Sequence, residues 1–481
     1  MDEFNQKLAQ LSEVIGEDRI ETESSFTDPY AVDELKPRAV IFPRNAREVS
    51  EVVKMANREN LSIVPRGSGS KISMGNIPSS LDLIVVSSRM NHMLDVDTAN
   101  LTITVEAGVR FRDIQARLAT EEDRCYLPLD DLTSSQDELI CSDRSNSGCF
   151  LPMDPPFSNT ATIGGIVAAN SSGPRRLLYR FPRDLLLGVR FVAPNGDIVG
   201  TGGKTVKNVS GYDISKLMTG SAGSLGFICE MTFKLLPLPE KMETLFLSFG
   251  SFSEACALTE AVLKSPLLPA AVEIMNMTAS EALSFKDTKD FSSEAYGVAV
   301  AMEGFEPAVQ RMKQDVLDMG RGLGATVDVC FSEDEHRRFW LTVSQLEASA
   351  VRRFSEPITF QLTYPISLMQ EIVSFAEDAL SESGIEHTLL VHGGTGACTV
   401  TLSKDQGGSG TGGAAVHFIH DLLARCCERG GNLIVLSAPP GLKRQLKMWG
   451  EPGPDLLVMK RIKTQIDPSG ILSPGRFVGG L

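Results

Sequence analysis

The chain lacks the features that mark several large functional classes. No stretch of its sequence approaches the ~20 consecutive apolar residues that span a bilayer. The N-terminus, MDEFNQKLAQLSEVIGEDRIETE, has neither the basic start nor the apolar centre of a secretion signal, which predicts a cytoplasmic protein. Positive charge is in deficit: 46 Lys and Arg against 61 Asp and Glu give a net charge of −15. Phosphate backbones need a basic footprint, so nucleic acid is excluded as the main partner. The 9 cysteines form no CxxC pair, so the clustered thiolates of iron–sulfur and structural zinc sites are missing. Cys125, Cys141 and Cys149 share one segment and leave open a small redox or metal feature beside the plainer reading of packed, reduced thiols. Histidine is scarce, at 6 in 481 residues. His417 and His420 lie three apart on a predicted helix with no matching carboxylates beside them, so no metal site is expected there.

Glycine, in contrast, is concentrated at informative places. PRGSGSK (Pro65–Lys71) follows the apolar run LSIV, and TATIGGIVAAN (Thr160–Asn170) follows DPPFSN (Asp154–Asn159). Glycine has no Cβ, accepts positive φ and lets several N–H groups converge on one anion. Two such segments together suit bare backbone laid against the pyrophosphate and ring of a flavin dinucleotide. Two other glycine patterns are decoys. GGKT, Gly202–Thr205, is not a phosphate loop, because the required first glycine is Ile198. Gly408, Gly410 and Gly413 match GxGxxG, but no strand leads into them and the run is Ser/Gly-rich, which reads as a loop.

The hydrophobic pattern predicts a mixed α+β chain. Residues 1–36 read as a helix and a connection. AVIFP, LSIVP, LDLIVVS, LTITVEAG and GFICEMTFKLLPLP read as strands. Asn45–Asn60 reads as a helix with Asn45 and Glu48 at its start and Val49, Val52, Val53 and Ala56 on one face. About 120–150 is a polar insertion. Pro237 and Pro239 mark a boundary, after which strands (TLFLSFGSF, AAVEIMN, YGVAVAMEG) alternate with helices near Glu254–Leu263 and Ala308–Leu323.

Taken with VEAGV (Val105–Val109) and GYDISKLMTGSAGSLGFICE (Gly211–Glu230), the two glycine segments resemble the FAD-binding domain of the vanillyl-alcohol oxidase and p-cresol methylhydroxylase (PCMH) superfamily. GPRRLLYRFPRDLLLGVRFVAPNG and the terminal MKRIKTQIDPSGILSPGRFVGGL are further similar to the E-subunit family of glycolate oxidase, FAD-binding relatives of the D-lactate and D-2-hydroxyacid dehydrogenases. The resemblance implies a two-lobed PCMH-type FAD domain over 37–239, an α/β cap on the substrate side over 240–440, and a C-terminal segment, 441–481, returning to the FAD domain. It assigns cofactor binding to Pro65, Arg66, Gly67, Ser68, Gly69, Ser70, Lys71, Asp154, Pro155, Thr162, Ile163, Gly164, Gly165, Ala169, Asn170, Gly211, Tyr212 and the backbone of Ile228. Relatives that hold FAD covalently use a histidine in the first loop; Ser70 stands there, so non-covalent FAD is expected.

The departures bear on chemistry. Catalytic relatives carry HxGDGNxH, where this chain has HGGTGACT (His392–Thr399). They also carry EHGxG, where it has NLIVLSAPPG (Asn432–Gly441). Oxidising a 2-hydroxy acid needs a base for the hydroxyl proton and a cation for the carboxylate. His392 is either a residual active-site group or a packed histidine. Arg175 and Arg176 either face a substrate carboxylate or a partner, or are solvated. The expected function is an FAD-binding subunit of a glycolate or D-lactate oxidising complex, with a catalytic flavoprotein subunit and an iron–sulfur subunit as partners and any membrane association made through them. The alternatives are a self-sufficient D-2-hydroxyacid dehydrogenase and a structural FAD-binding subunit without turnover.

Overall fold

The computed structural model describes residues 3–119, 125–128, 148–203, 212–283, 295–382, 384–403 and 413–481. Most of the 120–150 insertion, Cys141, Gly211, Lys204 and Thr205 of GGKT, and Gly408 and Gly410 lie outside the described residues.

Three large sheets organise the described residues, beside a two-stranded pairing of Leu236–Pro237 with Cys149–Phe150. The first has strands Ala39–Ile41, Leu83–Val86 and Ile63–Arg66 in parallel, with Ile20–Glu21 antiparallel at one edge. Helix Ala46–Glu59 covers it through Val49, Val52, Val53 and Ala56, all but fully buried. Asn45 starts that helix, accepting from the backbone N–H of Arg47 and Glu48 at 3.0 Å each, as expected of an N-cap. Glu48 reaches back to the N–H of Arg44. Strand Ile63–Arg66 runs straight into the first glycine segment.

The second sheet is antiparallel, in the order Met93–Asp97, Thr102–Glu106, Phe227–Lys234, Leu186–Val192, Ile198–Gly202. Helices Phe111–Leu118 and Ile163–Ala169 pack on it around Ile114, Leu118, Ile163 and Val167.

The third sheet has eight antiparallel strands: Val327–Ser332, Lys241–Phe249, Tyr296–Gly304, Ala271–Asn276, His387–His392, Ala397–Leu402, Ile358–Thr363 and Asn432–Ser437. Side chains alternate between the faces of a strand. Leu389, Val391, Cys398, Val400, Phe360 and Leu433 enter the core formed with helices Phe252–Lys264, Glu306–Gly322, Met369–Glu382 and Gly413–Glu428. Their neighbours Thr388, Leu390, His392, Thr399, Gln361 and Ile434 therefore face the other way, onto a cavity shared with the FAD-type lobe. Five of these strands, from Val327, Ile358, His387, Ala397 and Asn432, go beyond the sequence expectation. In the strands from Ile358, His387 and Ala397, Thr, Gln and His on the cavity face break the apolar runs.

The C-terminal segment returns to the first sheet, as expected. Ile63 N–H donates to Ile471 and Ser473 N–H donates to Ile63. Helix Leu456–Ile466 is anchored by Lys463, which is buried and donates to Asp467 (2.6 Å), the Ser224 carbonyl (2.8 Å) and the Leu472 carbonyl (2.9 Å). No helix among the described residues is long and apolar enough to cross a membrane. Replacing Lys463→Met leaves the Asp467 carboxylate buried without its cation. Urea denaturation is expected to show a loss of about 3 kcal/mol; an unchanged midpoint would mean the tail contributes nothing to stability.

Candidate functional site

The two glycine segments meet. Gly67 passes so close to Thr162 that a Cβ on it would lie 2.0 Å from the threonine Oγ1. Gly69 has φ +87, and a side chain there would strike the Arg66 guanidinium. Thr162 caps helix Ile163–Ala169, its Oγ1 accepting from Gly165 N–H at 3.4 Å. Between the segments is a cavity lined by Pro65 through Lys71 on one side and by Thr162, Gly164, Gly165, Ala169 and Ile228 on the other. Gly165 presents bare backbone to it: an added Cβ would meet nothing nearer than Thr162 Oγ1 at 3.2 Å and would take space from the cavity. An FAD diphosphate fits such a cradle, which offers backbone N–H groups and the cationic Arg66 and Lys71. Arg66 lies over the Tyr30 ring, and burial lowers its proton affinity.

The other expected cofactor residues lie elsewhere. Ile163 is buried in the core behind the cradle. Asn170, left-handed at φ 46, lines the adjoining cavity instead. Asp154 and Pro155 are buried and line neither cavity; Asp154 accepts from the Arg175 N–H at 2.9 Å, and burial pushes its carboxyl up to about 6. Tyr212 is 93% exposed, so its ring is outside the cradle. Ala107, Gly223 and Arg476 also line the cradle and were not expected, although each stands in a segment already prominent in the sequence.

Lys71, Met74 and Ala169 are shared with a second cavity, walled by the FAD-type lobe on one side and the eight-stranded sheet on the other. Arg176 and His392 both line it. Arg176 is buried; its Nε donates to Thr395 Oγ1 at 3.4 Å, its Nη1 reaches Ser172 at 3.3 Å, and its Nη2 has no protein partner. His392 Nε2 lies 3.4 Å from Thr399 Oγ1, so the threonine standing at the family's second histidine position touches the first. Behind it, Glu273 pairs with His392 in strand register, its Oε2 2.7 Å from Nδ1 but off the line of a good hydrogen bond. Burial drives the Glu273 carboxyl well above its usual range, with Arg176 opposing. Burial and the Arg176 charge hold His392 well below its own range. Burial thus favours the neutral form of each group. Glu273 was invisible in the sequence because its partner is a strand pairing, not a spacing.

Arg175 is neither solvated nor turned to the substrate side. Burial works against its charge, but Glu303 at 2.7 Å from its Nε overrides that and strengthens it. Glu303 also accepts from Tyr179 Oη at 2.5 Å and sits 3.1 Å from His336 Nε2. Burial resists ionisation of Glu303, yet Arg175 and His336 hold its carboxyl down at about 2. Trp340 Nε1–H donates to Thr244 Oγ1 (2.7 Å), whose own proton is then free for His336 Nδ1 (2.8 Å), leaving His336 Nε2–H for Glu303. This network fastens the turn bearing Arg176 to the eight-stranded sheet. A second tie is the Lys71–Glu347 pair at 2.5 Å, between the first glycine loop and helix Leu346–Arg353.

The histidines on helix Gly413–Glu428 correct one expectation: His417 does have a carboxylate beside it, Asp421 at 3.3 Å, and both are exposed. No group of three or more metal-ligating side chains is assembled among the described residues. Cys125 and Cys149 are buried.

Comparison with known proteins agrees with this geometry. A family profile described as FAD binding domain matches residues 37–132 and 144–202, and one described as FAD linked oxidases, C-terminal domain, matches 238–477. The chain is 27% identical to glycolate oxidase subunit GlcD of Bacillus subtilis, over 97% of this chain and 96% of the relative. It is 27% identical to a D-lactate dehydrogenase of Archaeoglobus fulgidus, over 94% and 96%. In fold it is similar to 4-ethylphenol oxidase from Gulosibacter chungangensis, at 16% identity and a TM-score of 0.74, covering 98% of this chain and 96% of the other. Its similarity to p-cresol methylhydroxylase has the same values.

Because Glu303 neutralises a fully buried cation, Glu303→Gln is expected to cost about 3–5 kcal/mol in denaturant unfolding. A change under about 0.5 kcal/mol, the scale of an inert surface substitution, would contradict the network's role.

Proposed function

The chain belongs to the FAD-linked oxidase family, and from that premise we propose that it oxidises a small 2-hydroxy carboxylate of the glycolate or D-lactate kind, holding FAD non-covalently and passing the electrons to partner subunits. One observation carries the reading: a buried cation, Arg176, and a buried neutral imidazole, His392, line the same cavity, and that cavity continues from the FAD cradle. The names of the relatives, glycolate oxidase subunit and D-lactate dehydrogenase, supply the substrate class. The FAD, when bound, accepts the hydride.

Arg176 takes the substrate carboxylate on its unpartnered Nη2, and His392 faces the hydroxyl. Glu273 Oε2 lies 2.7 Å from Nδ1 but off the line of a good hydrogen bond, which leaves the ring proton of the neutral pair unassigned between Nδ1 and Nε2. When the pair loses one proton, the remaining N–H settles on Nδ1 against the Glu273 carboxylate, and Nε2 becomes a base. The site therefore gains competence as pH rises. Arg176, His392 and Glu273 favour substrate chemistry on this chain over a purely structural role. Ser70 in the first loop supports non-covalent FAD. A catalytic flavoprotein partner and an iron–sulfur partner are retained in the proposal as the onward route, because the sequence carries no clustered cysteines for electron transfer.

The test is anaerobic mixing of the FAD-loaded chain with glycolate and with D-lactate, following loss of the oxidised flavin absorbance. Reduction by either acid is expected. Arg176→Met should weaken substrate saturation about 100-fold, as for losing a charge-assisted bond of roughly 2–3 kcal/mol. His392→Ala should slow reduction by about 10²–10⁴-fold. Wild-type reduction should accelerate with pH, and Glu273→Gln should flatten that rise. Failure of both acids to reduce the flavin returns the chain to a relay or structural role.

A further inference from the structure

The C-terminal tail places an uncompensated cation against the FAD cradle. Arg476 lines the cavity and is 5% exposed. Its Nη2 donates to the carbonyls of Ile72 (2.7 Å) and Met74 (2.8 Å), the residues that leave the first glycine loop. Its Nη1 is buried without a partner. The tail is laid on the loop by further bonds: Asn76 N–H donates to the Arg476 carbonyl at 3.0 Å, Ser79 N–H to Pro474 at 2.9 Å, and Trp449 Nε1–H to the Arg476 carbonyl at 2.9 Å.

The charges beside the loop do not balance. Lys443 is buried, bonded to the Ser73 carbonyl at 2.5 Å and paired with the buried Asp33 carboxylate at 2.7 Å. Asp33 is the acid that acts on both Lys443 and Arg476. Two buried cations thus share one carboxylate, which leaves one positive charge and an unpartnered N–H donor at the cavity wall. Burying an unpaired charge is costly unless an anion completes it. Burial pulls Arg476 down to about 10, with Asp33 opposing, which is the response of a cation short of a counter-charge.

We propose that Arg476 is a cofactor-binding residue that meets the diphosphate of FAD, so that the C-terminal tail and the first glycine loop close on the cofactor as one latch. The inference rests on the FAD assignment, and its test separates the two. Apoprotein of the full chain is titrated with FAD and, separately, with ADP, which carries the same diphosphate. Wild-type binding of FAD checks the assignment itself. Arg476→Met is expected to weaken FAD at least 10-fold and ADP by a similar factor, with the apoprotein's unfolding midpoint little changed. In the wild type, FAD should slow amide hydrogen exchange in Ile471–Phe477 and Ser70–Asn76 more than in helix Met369–Glu382, on the far face of the large sheet. FAD binding by the variant within threefold of wild type overturns the proposal. So does weakened FAD with unchanged ADP, which would place Arg476 at the ring. If the variant does not fold, the wild-type exchange decides: tail amides no better protected than that helix overturn the latch.

Discussion

Gly67 and Thr162 approach each other with no room for a side chain between them, and the site depends on that contact. It brings the end of a parallel strand against the start of a helix from the other lobe, and the cavity between them is the proposed FAD cradle. Everything on the substrate side is positioned from this seam. Lys71 continues the loop to Glu347 on a cap helix, and the turn after Asn170 carries Arg175 and Arg176 to the large sheet. The tail then covers the loop from outside.

Arg175 and Arg176 show how one turn serves two purposes. Arg175 is spent on Glu303 and on Tyr126, over whose ring its guanidinium lies at 4.3 Å, and it fixes the lobes to each other. Arg176, one residue on, is left with an unpartnered donor at the second cavity, which we propose takes the substrate. The fixed pair makes the free one useful, since a cation for a small carboxylate must be held in place before the substrate arrives.

The cradle was legible in the sequence because its constraint is local: glycine at Gly67, Gly69, Gly164 and Gly165 signals backbone used as a surface. Several strands of the two FAD-lobe sheets, such as LSIVP and LTITVEAG, were legible from their apolar patterns. The substrate side was less legible. Glu273 meets His392 through strand register across more than a hundred residues, and Glu303 and His336 find Arg175 from separate elements. No spacing encodes such meetings. Three of the strands beyond the expectation, from Ile358, His387 and Ala397, alternate threonine, glutamine and histidine with core residues, so the polarity of one face masked the pattern of the other. The family's second histidine is absent from HGGTGACT; in the fold, Thr399 in that place contacts His392, and an acid stands behind the ring where no motif points.

The most direct measurement of the central claim is a crystal structure of the FAD-loaded chain with a non-reacting 2-hydroxy acid analogue. The account predicts the diphosphate between Gly67–Ser70 and Thr162–Gly165, the flavin ring where Lys71, Met74 and Ala169 join the two cavities, and the analogue's carboxylate on Arg176 with its hydroxyl toward His392. A cofactor seated away from the Gly67–Thr162 seam, or an analogue that ignores both Arg176 and His392, would contradict it.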